Sequence, residues 1–89
     1  MNIEKLENEM YSELKAIDSF LNKEGVIWKE VRGSLSMIEN RQRQHYFKLK
    51  RKLFMDFRMI TDHQISDPSL DCHLDRAYEI AQMFASEKH

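Results

Sequence analysis

The sequence predicts an all-α fold, a three-helix bundle in a single domain spanning residues 1–89. Two glycines and one proline are too few for a sandwich or barrel, which needs turn residues every ten positions or so. Apolar residues also recur at helical rather than alternating spacing, and they make up 42% of the chain, enough to build a core.

The first helix is expected over 3–22. Ile3, Leu6, Met10, Leu14, Ile17 and Leu21 follow one another at intervals of three and four, the narrow stripe of a helix seam. Asn2 supplies a cap, Glu4 and Glu7 favour the positive end of the dipole, and Gly25 stops the helix.

Residues 26–32, bracketed by Gly25 and Gly33, fit either an extra short helix or an extended connector, because seven positions do not settle a period. Trp28 is expected to cover the end of the core. A helix running through Gly33 would cost about 1 kcal/mol.

The second helix is placed at 37–61, started by a capping box at Ser36-Met37-Ile38-Glu39. Neither glycine nor proline interrupts residues 37–61. On a wheel, Ile38, Tyr46, Leu49, Leu53, Phe57 and Ile60 form its core stripe, and Phe47 and Phe54 form a second seam beside it. A third helix is expected at 68–86, with Asp67 as its cap and Pro68 in its first turn. Leu70, His73, Leu74, Ala77, Ile80, Ala81 and Phe84 line its inner face, with His73 as a hydrogen-bonded core histidine and Tyr78 at the margin.

Twenty-five helical residues would reach about 38 Å at 1.5 Å each, longer than the roughly 30 Å diameter of a compact chain of this size. Together with the Phe47/Phe54 seam, this long central helix points to self-association as a homodimer.

The net charge is −1, and its distribution is uneven. Residues 1–25 carry six acids and three bases, residues 26–60 three acids and nine bases, and residues 61–89 six acids and two bases. Arg41, Gln44, Lys48, Arg51, Lys52 and Arg58 form a basic row on the outer face of the middle helix. Met55 completes it, with Met37 and Met59 on its flanks. Three readings compete. The row is a solvated face, paired along its own helix as Glu39–Arg43 and Lys52–Asp56 or with the acidic row Asp67, Asp71, Asp75 and Glu79, within the chain or across a dimer. Alternatively it tracks phosphates as a nucleic-acid surface, against which stands an overall pI of 6.4. In the third reading it binds another protein with an acidic surface, since methionines among cations make an adaptable face.

Catalysis is not expected. His45, His63, Cys72, His73 and His89 show no metal-ligand spacing, and there is no phosphate cradle or nucleophile motif. A lone Cys72 makes no internal disulfide. No cofactor is expected. The start of the chain lacks an apolar export segment, and no run is long enough for a membrane, so the expected location is the cytoplasm. The expected function is that of a small non-catalytic protein-binding regulator or inhibitor acting through its middle helix; the alternative is a nucleic-acid-binding regulator using the same face.

Overall fold

The computed structural model describes residues 2–53 and 67–87. The fold is all-α: helices α1 (Ile3–Lys23) and α2 (Lys29–Glu39), a 3-10 helix (Arg43–Lys48), a further helical stretch α3 over 49–53, and α4 (Pro68–Glu87). Helix α1 packs chiefly against α4 and then α2, while the 3-10 helix lies on α4 and α2. The radius of gyration is 12.4 Å.

Helix α1 forms as its stripe demands. Leu6, Met10, Leu14, Ile17 and Leu21 are buried, and the Asn2 side chain accepts the Lys5 N–H at 3.2 Å. The helix ends in a Schellman motif. Val26 donates to the Leu21 carbonyl and Gly25 to that of Asn22, with Gly25 at φ +77°, a conformation open to a residue without Cβ. Trp28, 1% exposed, comes next and covers the core.

The middle of the chain departs from the sequence reading. Its helix begins at Lys29 rather than Met37, and it runs through Gly33. Val31, Leu35 and Ile38 then fall on one buried face, which outweighs the glycine's cost of about 1 kcal/mol. Ser36 is therefore inside α2 and caps nothing; its hydroxyl accepts a hydrogen bond from the Asn40 amide at 3.2 Å.

The expected helix over 37–61 is also broken within its first turns. A second Schellman motif closes α2, with Arg41 donating to the Ile38 carbonyl and Gln42 to that of Met37. Arg41 holds the left-handed position at φ +50°, where glycine usually sits. The chain resumes as a 3-10 helix, so the single 38 Å rod does not exist, and the length-based ground for a dimer goes with it. Met37, expected beside the basic row, is buried, as are Ile38, Tyr46, Leu49 and Leu53. The expected core positions Phe57 and Ile60 and the link at 62–66 lie outside the described residues.

Helix α4 starts as anticipated. The Asp67 carboxylate accepts the N–H groups of Ser69 and Leu70, and Pro68 occupies the first turn. Leu70, Leu74, Ala77, Ile80, Ala81 and Phe84 are buried. His73 is not a core histidine: it is half-buried at the edge, its Nδ1 bonded to Glu13 of α1.

Candidate functional site

The 3-10 helix decides which side chains reach the surface. With three residues per turn, positions three apart eclipse one another. Arg43, Tyr46 and Leu49 therefore share the inner side. Tyr46 and Leu49 are buried, the Tyr46 ring lying 4.8 Å from that of Phe84 between centroids. The same register turns Gln44 and Phe47 outward, and Phe47 is 44% exposed.

Phe47 opens onto a cleft of about 480 Å³ lined by Glu30, Phe47, Lys48, Arg51 and Lys52. Glu30 comes from the first turn of α2, Phe47 and Lys48 from the end of the 3-10 helix, and Arg51 and Lys52 from α3. The Lys48 ammonium stands over the Phe47 ring, 5.8 Å from its centroid, within cation–π range. Lys52 is half-buried and leans on α2: its Nζ lies 3.4 Å from where a Cβ on Gly33 would be. Among the described residues, Lys48, Arg51 and Lys52 enter no ion pair. The cleft thus combines an aromatic wall with three cations and one carboxylate.

The structure brings together part of the expected basic row. Lys48, Arg51 and Lys52 share this cleft, and Gln44 is exposed nearby in sequence. Arg41 is carried away by the turn, into a second cleft of about 310 Å³ with Glu4, Glu7, Asn8, Tyr11, Ile38 and Glu39. Met55, Arg58 and Met59, and the second expected seam residue Phe54, lie outside the described residues, as does Asp56. Among the described residues, the acidic row forms no ion pair with these cations. Asp67 caps α4, Glu79 pairs with Arg76 at 3.0 Å, and Asp71 and Asp75 are exposed and without an ion pair among the described residues.

Sequence reasoning missed a part-buried charge cluster between α1 and the 3-10 helix. Arg43 does not pair with Glu39; its guanidinium donates twice to Glu7, from Nε at 3.0 Å and Nη2 at 2.7 Å. The Tyr46 hydroxyl donates to the same carboxylate. The Arg43 guanidinium holds the Glu7 carboxyl below its ordinary value, against the opposing effect of burial and with help from the Tyr46 hydroxyl. Burial and the neighbouring carboxylate push the Tyr46 phenol well above its ordinary range. One signal for this was available: Glu7 stands four residues after Ile3 and three before Met10, an acid at the edge of an apolar stripe. Its partners, 36 and 39 positions away, had none.

Further polar bridges join the helices: Arg76 of α4 to Glu9 of α1 at 2.6 Å, and Arg32 of α2 to Asp18 and Asn22 of α1 at 3.3 Å. Among the described residues, no three His, Cys, Asp or Glu side chains gather closely enough to hold a metal ion. No helix among them is long and apolar enough to cross a membrane. No known protein family, curated protein or solved structure matches this chain.

Proposed function

We propose that this protein is a small non-catalytic binding module whose cleft at Phe47, Lys48, Arg51 and Lys52 receives an acidic segment of a protein chain. The observation that supports this reading most directly is the juxtaposition of three cations, unpaired among the described residues, with a half-exposed aromatic ring. Hydrated cations on a surface need no partner, but an exposed phenylalanine among them leaves apolar area in water. An acidic peptide carrying one apolar side chain satisfies both. Its side chain covers the ring and its carboxylates meet the ammonium and guanidinium groups, steering approach and fixing register.

The nucleic-acid alternative draws on the same cations, yet it needs a longer continuous row. The turn at Arg41 divides that row, placing Arg41 among three carboxylates that repel phosphate.

Crosslinking in cells of origin, compared between the wild-type chain and Lys48→Glu/Arg51→Glu, tests the reading. Proteins captured by the wild type and by Lys23→Glu, an exposed control at the end of α1, should be lost from the cleft variant. Capture that the cleft variant retains refutes the site. A mobility shift with mixed duplex DNA or RNA at low salt, abolished by the same variant, would replace the protein partner with a nucleic acid.

A further inference from the structure

The outer face of α4 carries the acidic complement of this cleft. Asp71, Asp75, Glu79 and Met83 succeed one another at four-residue intervals, so they form one stripe along the helix. Asp71, Asp75 and Glu79 are exposed, and Met83 is 37% exposed. Three carboxylates and then one apolar side chain is the composition that suits the cleft, which offers three cations and one aromatic ring. Of the three acids only Glu79 has an ion pair among the described residues, to Arg76 of its own helix. Among the described residues, neither set forms an ion pair with the other.

We propose that the acidic segment received by the cleft is the α4 stripe of a second copy of this chain, in a reciprocal two-fold dimer. This rests on the binding role assigned to the cleft above and names its occupant. In a two-fold arrangement each subunit offers both surfaces, so cleft meets stripe twice and the assembly closes at two copies. Asp71, Asp75 and Glu79 of one copy face Lys48, Arg51 and Lys52 of the other. Met83 covers the Phe47 ring, a thioether–aromatic contact that adds to the burial of both. The uneven charge of the sequence, basic in the middle and acidic toward the ends, is then neutralised between subunits.

The test is a pair of charge-reversed variants studied apart and mixed. Sedimentation of the wild type in low salt should give twice 10.8 kDa, shifting toward monomer as salt screens the pairs. Lys48→Glu/Arg51→Glu and Asp71→Lys/Asp75→Lys should each weaken association at least tenfold, with unchanged circular dichroism. Mixing the two should restore a complex, because one reciprocal interface regains matched charges while the other carries reversed charges on both sides. Should either variant fail to fold, Lys48→Gln/Arg51→Gln and Asp71→Asn/Asp75→Asn serve in its place, each expected to weaken association alone and to regain part of it on mixing, because one of the two reciprocal interfaces is then wild type. A wild-type mass of 10.8 kDa at tens of micromolar in low salt overturns the second-copy assignment. So does a dimer that both reversals leave intact. A monomer whose crosslinking to other proteins is still lost in Lys48→Glu/Arg51→Glu would overturn the occupant and leave the cleft's binding role standing.

Discussion

Replacing Glu7 by glutamine tests the largest feature that the sequence did not reveal. The carboxylate is 6% exposed and accepts three hydrogen bonds, two from Arg43 and one from Tyr46. Glutamine keeps the shape but offers a single acceptor oxygen, and its amide presents donors to a guanidinium that also only donates. Tyr46 can still donate to the amide oxygen, so the loss falls on the charged pair. Hydrogen bonds to charged groups contribute about 1.5–3 kcal/mol each. The Arg43 side chain is 40% exposed, and solvent screens its share. Glu7→Gln should therefore cost about 2–3 kcal/mol at pH 7, a substantial fraction of the roughly 5–15 kcal/mol typical of a domain. The pH dependence has a definite sign. Glu7 titrates below its ordinary value of 4.5, so the unfolded chain takes up its proton first as pH falls. The stabilisation is full above pH 4.5 and is lost as pH drops through the lower folded value. Urea melts of both proteins at pH 7 and pH 3 measure the gap. A difference under about 0.5 kcal/mol at pH 7, or one that fails to narrow in acid, would refute the cluster as a source of stability.

Four further substitutions probe other parts of the fold. Leu53 is fully buried and Lys48 exposed, so Leu53→Ala should cost about 2–5 kcal/mol and Lys48→Ala no more than about 0.5 kcal/mol; urea melts should rank them in that order. Asp67→Ala removes an acceptor for two N–H groups at the start of α4 and should cost about 1 kcal/mol, measured by the same melts. Ser34 is buried within α2, and its hydroxyl has no hydrogen-bond partner among the described residues. Ser34→Ala should therefore raise stability by about 0.5–1 kcal/mol, seen as a higher midpoint in thermal unfolding.

Much of this fold was legible because local signals and burial agree. In α1 the stripe, the Asn2 cap and the Gly25 stop all point the same way, and Asp67-Pro68 marks α4 without ambiguity. The middle of the chain is where they disagree. Ser36 and Glu39 have the spacing of a cap, but burying Val31 and Leu35 draws the helix start back to Lys29, across a glycine that suggested a boundary. The stop at Arg41 uses a residue type that rarely accepts the left-handed conformation, so no turn signal announces it. The outward Phe47 was anticipated as a second seam on a long helix; it is outward because three residues per turn replace 3.6. In the candidate site, Lys48, Arg51 and Lys52 line one cleft, a proximity that the short run from the 3-10 helix into α3 carries over from their spacing. Arg41 was grouped wrongly, because a wheel assumes that the helix continues.

Arg41→Gly turns this disagreement into a measurement whose sign decides it. In a continuous helix over 37–61, glycine at position 41 would sit in the interior and destabilise by about 1 kcal/mol relative to alanine, and only slightly less relative to arginine. At the observed φ of +50° the reverse holds. An L-residue there is strained by roughly 1–2 kcal/mol, and glycine relieves it. The flexibility that glycine adds to the unfolded chain returns about 0.4–1 kcal/mol of that. Arg41 also lies near enough to lower the Glu7 titration slightly through its charge, a small loss on replacement. The net expectation is no destabilisation and a gain of up to about 1 kcal/mol. Arg41→Ala is the companion variant: it removes the same charge but keeps the Cβ, so it should fall below Arg41→Gly in a urea melt. A continuous helix demands the opposite order. If alanine proves the more stable of the two, α2 does not end at this turn. Arg43 and Tyr46 would then be carried away from Glu7, and Arg41 would rejoin Lys48 and Arg51 on one face, restoring the long basic row that a nucleic acid requires.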